Sequence, residues 1–224
     1  MPWVDIALVV FILSCLLLLG GSRLVACIST VALQGVLLGF VPLALHGVTV
    51  FSGVALAALT VAVKALLLPW FLRRAIREAS ILREVQPIVS LNLSLLFGLG
   101  ALAFSGWAAA RLPLPPGAPS LGAPTALFMV LVGLFLVVAR SKALTQVIGF
   151  LVVENGIFLF GALFAHDTPW LVEIAVLLDV LVGVFVMGIA LFHINRAFDS
   201  IDSRRLHELH DLVLDAPSAN EGTP

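Results

Sequence analysis

An all-α, polytopic membrane protein with seven transmembrane helices, its N-terminus outside and its C-terminus cytoplasmic, is predicted by three observations. Hydrophobic residues make up 61% of the 224-residue chain and charged residues 11%, with a mean hydropathy of +1.17, which leaves too little polar surface for a soluble domain. Seven apolar windows can be drawn at roughly the 17 to 25 residues that a bilayer crossing needs. Lys and Arg fall in alternate connections between those windows, the bias expected of cytoplasmic loops.

The windows cover residues 4–20, 24–45, 48–72, 85–110, 125–139, 143–165 and 170–193. The first opens with MPWVD, which has no positive n-region, and LLLLGGSR has no persuasive small-residue cleavage site, so a retained helix is expected and not a signal peptide. Arg23 lies between the first two windows, and Arg73, Arg74, Arg77 and Arg83 lie between the third and fourth. Arg140 and Lys142 follow the fifth, and Arg196, Arg204 and Arg205 follow the seventh. With seven spans all of these share one side, which makes it cytoplasmic; only Arg111 falls outside and only Lys64 falls within a span.

Two segments are not spans. The Pro/Gly-rich stretch RLPLPPGAPSLGAP, residues 111–124, is an extended outer connector between a four-helix half, residues 1–110, and a three-helix half, residues 125–195. The cytoplasmic tail, 196–224, spaces Phe198, Ile201, Leu206, Leu209 and Val213 loosely as a helix face for a partner or the membrane surface. Its last residues, from Ala216, have a disordered composition. A net charge of −1, with short basic clusters beside apolar runs, argues against nucleic acid as a partner.

Chemistry is expected where charge meets membrane depth. Glu154 sits in QVIGFLVVENGIFLFGALFA and Asp179 in LVEIAVLLDVLVGVFVMGIALFH, with no basic residue near them in their own runs. An ionisable group in hydrocarbon costs several kcal/mol, roughly, and marks a functional site by default. Counted from the span ends at about 1.5 Å per residue, Lys64, Glu154 and Asp179 all fall in the middle layer of a core about 30 Å thick. Three ionisable groups on three spans at one depth suit a proton relay, with a lysine biasing whether a carboxylate holds its proton. A relay also needs a hydrated interior or a second membrane subunit. The bland alternatives are a structural hydrogen-bonding acid and a Lys64 that snorkels to the surface.

Gly53, Ala57, Thr60 and Lys64 fall on one stripe that would let a neighbouring helix come close. His193 shares a face with Asp179 and is a candidate cytoplasmic proton station, or simply an interface residue. Glu173 is a candidate exit group or a solvated cap. Among the uncharged polar residues, Asn155 supports the acid next to it, while Gln34 and Asn92 read as helix-to-helix hydrogen-bonding glue. His207 and His210 form an HxxH without further ligands, more consistent with a solvated face than a metal site. Cys15 and Cys27, the two cysteines, lack ligand-like spacing and read as buried thiols.

The phrases VVENG, LVEIAVLLD and AVKALLLP resemble the membrane subunit called component E of hydrogenase-4, found in formate-hydrogenlyase-type complexes with group 4 nickel-iron hydrogenases. The resemblance extends over nearly the whole length and is strongest in the last three spans. It implies a subunit without a metal centre of its own, the nickel-iron centre and iron-sulfur clusters being in partner chains. It also implies antiporter-like and quinone-channel-like membrane neighbours, peripheral hydrogenase subunits, and a bacterial or archaeal plasma membrane.

More distantly, the last three spans resemble the small three-helix subunit of complex I and its counterpart in multisubunit sodium/proton antiporters. There a glutamate follows a glycine by two residues. Here that position, after Gly149, is Leu151, and the acid comes three residues later as Glu154. Asp179 falls where the second glutamate of that subunit would stand.

The resulting expectation is a non-catalytic subunit of an oxidoreductase complex, in which redox free energy released elsewhere drives protons or sodium past Glu154, Asp179 and Lys64. Two other readings stay open: a purely structural membrane anchor, and a subunit of a related ion-translocating module that is not a hydrogenase. A retinal protein is disfavoured because the seventh window has no lysine, and a stand-alone transporter because no repeated pair of broken helices appears.

Overall fold

A computed structural model describes residues 2–21, 23–46, 58, 61–78, 89–113, 117–140 and 143–164. It is all-helical, with no strand among the described residues. Helices α1 (Pro2–Gly20) and α2 (Leu24–His46) are followed by a π-helix (Ala62–Leu67) that runs into α3 (Leu68–Glu78). Then come α4 (Leu91–Ala109), α5 (Gly122–Ala139) and α6 (Ala143–Phe164). Five of these, α1, α2, α4, α5 and α6, are long and apolar enough to cross a membrane, and the chain is a multi-pass membrane protein.

The count of seven rests on two further windows. Residues 48–72 are described only at Ala58 and from Val61 onward, and 170–193 lie outside the described residues. Elsewhere the boundaries shift for local reasons. The helix α3 continues to Glu78, so Arg73, Arg74 and Arg77 sit on a helix and not in a loop. Helix α4 starts at Leu91 and not at 85, because the Ser90 side chain accepts a hydrogen bond from the Leu93 amide at 3.4 Å and caps it. Helix α5 starts three residues early, at Gly122: Pro124 falls in its first turn, where a missing N–H leaves no intrahelical bond unmade.

The π-helix has an equally local origin. Pro69 cannot donate the hydrogen bond that Ala65 would accept in a regular α-helix, and its ring would press on that carbonyl. Widening the preceding turns over Ala62–Leu67 accommodates both problems and carries Lys64 in the widened segment.

Glycines set the closest helix contact. A Cβ on Gly133 of α5 would lie 2.6 Å from the Gly149 carbonyl oxygen, and one on Gly149 of α6 would lie 2.8 Å from the Val137 amide. Two turns beyond Gly149, a Cβ on Gly156 would lie 2.9 Å from the Ala126 carbonyl oxygen. The α5 and α6 backbones therefore touch along their length, as small residues allow in membranes where apolar burial alone gives no preference for protein over lipid. Helix α1 packs on α2, α4 and α5, while α2 packs on α6 and on the π-helix, so both halves of the chain share one interior. Phe11, Cys15, Leu19, Ile28, Phe128 and Met129 lie at its centre, while Ile6, Leu13, Leu17 and Leu134 face outward as lipid-facing side chains do.

At one end of the bundle, Arg140 is buried, 1% exposed, and its Nη2 donates to the Leu19 carbonyl oxygen at 2.8 Å. That carbonyl is among the last of α1, which have no intrahelical donor and carry the negative end of the helix dipole. Arg73, at the same end, donates to Ser29 Oγ at 3.2 Å. At the far end of α4, Arg111 stacks on Trp107 with 3.8 Å to the ring centroid.

Candidate functional site

The glycine stripe of α6 determines where its polar residues go. At about 100° per residue, Glu154 and Asn155 straddle the side of α6 opposite Gly149 and Gly156. With the stripe against α5, these two side chains point toward α2 and the π-helix. Glu154 is about 16 Å along a 22-residue helix, close to its middle.

There Lys64 meets them. Its Nζ lies 2.9 Å from Glu154 Oε1 and 3.1 Å from Asn155 Oδ1, and the Lys64 and Glu154 side chains are 3% and 4% exposed. The ammonium also sits 5.3 Å from the centroid of the Phe158 ring, a cation–π contact one turn along α6. Snorkelling is excluded by this burial. The close approach is permitted by Gly35 on α2, where a Cβ would fall 2.8 Å from the Lys64 Cβ and 2.9 Å from its carbonyl carbon.

Polar contacts continue away from the ion pair. Asn155 Nδ2 donates to Gln34 Oε1 at 3.3 Å, and Gln34 Nε2 donates to Ser14 Oγ at 2.7 Å and lies 3.6 Å from Cys15 Sγ. Ser14 Oγ in turn donates to the Phe11 carbonyl oxygen at 2.7 Å. All the side chains in this chain of bonds are buried. The other carboxylate oxygen, Glu154 Oε2, is buried and has no hydrogen-bond partner among the described residues.

The structure thus brings together two of the predicted ionisable residues, Lys64 and Glu154, with Asn155 beside them. Asp179, His193 and Glu173 lie outside the described residues, as do Gly53, Ala57 and Thr60 of the predicted stripe and the HxxH of the tail. Asn92 is exposed in the first turn of α4 and makes no side-chain hydrogen bond to another helix among the described residues. Gln34, read as helix glue, is part of the site, and Ser14 was not singled out. Their signal was present as polar residues centred in two otherwise apolar runs, each adjacent to a small or sulfur-bearing residue, Gly35 and Cys15. Both cysteines are free and buried.

Residues 123–212 match the family model for NADH-ubiquinone/plastoquinone oxidoreductase chain 4L. The chain is 35% identical over 217 residues to an uncharacterised protein, Rv0085, of Mycobacterium tuberculosis, covering 93% of this chain and 96% of that one. It is 35% identical over 100 residues to hydrogenase-4 component E of Escherichia coli K12, covering 44% of this chain and 45% of that protein. The component E of Shigella flexneri matches to the same extent. No solved structure matches the chain. The 4L match takes in Glu154 and Asn155, whereas Lys64, Gln34 and Ser14 lie outside it.

Proposed function

We propose, from the premise that this chain belongs to the hydrogenase-4 component E family, that it is a non-catalytic membrane-arm subunit of a complex I-related hydrogenase or similar redox complex. In this reading it contributes intramembrane acids to proton or sodium translocation coupled to electron transfer. The carrying observation is the Lys64–Glu154 pair, buried at mid-helix, with one carboxylate oxygen held by the ammonium and the other without a hydrogen-bond partner among the described residues. Across 2.9 Å a proton can pass from Nζ to Oε1, converting an ion pair to a neutral amine and carboxylic acid, while Oε2 is open to a proton from elsewhere. Such an exchange is the elementary step of a relay.

Asp179, His193 and Glu173 continue the path in this reading, on a seventh helix that follows α6. Seven helices place the N-terminus outside and the C-terminus in the cytoplasm of a bacterium or archaeon, which is supported by Arg73 and Arg140 at one end of the bundle. Antiporter-like and quinone-channel-like membrane subunits and peripheral hydrogenase subunits are its partners, and they carry the nickel-iron and iron-sulfur centres.

The test is ion uptake by vesicles containing the assembled complex, with Glu154→Gln and Asp179→Asn. Moving one charge against 100 mV takes about 2.3 kcal/mol, so loss of one relay group is expected to abolish uptake while electron transfer persists or slows. Both variants should still yield the complex on a native gel, Glu154→Gln with lower thermal stability because Lys64 is left buried without that carboxylate. Unchanged uptake in both would refute the relay. Loss of the complex itself would instead favour a structural anchor, a reading with its own support in the way the ion pair ties α6 to the π-helix. Identification of co-purifying redox polypeptides would separate a hydrogenase from another ion-translocating module.

A further inference from the structure

From Lys64 through Asn155 the described hydrogen bonds run in one direction. Lys64 donates to Asn155, Asn155 to Gln34, Gln34 to Ser14, and Ser14 to the Phe11 carbonyl. Each end of the chain is fixed by chemistry: an ammonium can only donate, and a backbone carbonyl can only accept. Between them stand two amides and a hydroxyl, each able to work in either direction. An isolated Asn155 amide could turn its NH₂ toward Lys64. Here that turn is opposed by Gln34 Oε1, which needs a donor, and Gln34 is held in its own orientation by Ser14.

We propose that Gln34 and Ser14 are positioning residues that hold the Asn155 amide oxygen against Lys64 and thereby favour its protonated form. When the proton moves from Nζ to Glu154, breaking an N–H bond and forming an O–H bond, the single lone pair of the neutral amine accepts from that O–H, and a remaining N–H still donates to Asn155 Oδ1. The bond to Asn155 is charge-assisted only while Lys64 is an ammonium, so an amide oxygen held there favours the protonated lysine. The orientation of that amide is set by Gln34 on α2 and Ser14 on α1, two helices away from the acid. No route through water is needed, since Ser14, Gln34 and Asn155 are all buried. Gly35 keeps the Gln34 turn of α2 against the Lys64 backbone and fixes the register of these bonds.

The functional consequence rests on the relay reading; the positioning itself rests on geometry. It is tested by nitrogen-15 NMR of the full chain in lipid bilayers. The sequence has two lysines, Lys64 and Lys142, so Lys142→Arg leaves one labelled Nζ whose chemical shift distinguishes ammonium from amine. At one fixed pH, Gln34→Leu is expected to raise the amine fraction about tenfold, the effect of one hydrogen bond lost from one protonation state. Ser14→Ala should raise it less, because Gln34 Nε2 still has the Cys15 sulfur within reach. Gln34→Glu should restore the ammonium: its carboxyl accepts from Asn155 and, protonated, donates to Ser14. An amine fraction unchanged in both Gln34→Leu and Ser14→Ala would overturn the proposal, and Ser14→Ala alone decides it if Gln34→Leu does not fold. A shifted amine fraction alongside normal ion uptake in both Glu154→Gln and Asp179→Asn would keep the positioning and remove the relay.

Discussion

Two faces of α6 are built on opposite principles. Toward α5 it is an apolar surface in which Gly149 and Gly156 admit the neighbouring backbone to within a Cβ's reach, while Val153 and Leu163 fill the space beside Gly133 and Gly122 of α5. Toward α2 and the π-helix it carries an acid and an amide whose partners come from those two elements. The first interface is defined by shape and tolerates only small residues at the glycine positions. The second is defined by the direction and charge of each bond and tolerates little change in chemistry. A bilayer makes both demands at once: apolar burial gives helices no reason to associate there, so close packing and directional bonds remain.

Breaking the polar face should have the larger effect. Lys64→Met leaves Glu154 buried without its cation and should cost about 3–5 kcal/mol, read as thermal stability in mild detergent. Adding Glu154→Gln to Lys64→Met should recover most of that loss, because the uncompensated charge is gone. Recovery of none of it would mean that shape, and not charge, dominates both faces. Next in size, Gly149→Val on the packed face should cost about 1–3 kcal/mol through overpacking, with no rescue from any change at Lys64.

The smallest effect tests the link between backbone and charge. Pro69→Ala restores the missing donor and allows the π-helix to relax toward α, which should change stability by less than about 1 kcal/mol, because the hydrogen bond regained is offset by the freer unfolded chain. The coupling between Lys64 and Glu154 in a double-mutant cycle should nevertheless fall, since the wide turn that presents the ammonium is gone. Unchanged coupling would show that Lys64 reaches Glu154 by side-chain flexibility alone.

Much of the helical layout was legible in the sequence because it is local. A bilayer requires a run of apolar residues of a certain length, and α1, α2, α5 and α6 fall within three residues of the windows drawn from hydropathy. Boundaries moved where a cap or a proline outweighed hydropathy, at Ser90 and Pro124. Lys64 and Glu154 could be picked out one by one, because a charge in an apolar run is conspicuous by itself. Their pairing could not be read, since they are 90 residues apart and meet only when Gly35 and the α5–α6 glycines bring four backbones together.

Composition and periodicity by themselves determined that this chain is helical, that it crosses membranes, and that it carries ionisable groups there, because each of those properties depends on one residue and its near neighbours. Tertiary structure alone decided which acid meets which base, which amide faces which way, and that Ser14 and Gln34 belong to the same site. Those outcomes depend on bond directions between distant segments, and a linear pattern of hydrophobicity holds no information about direction.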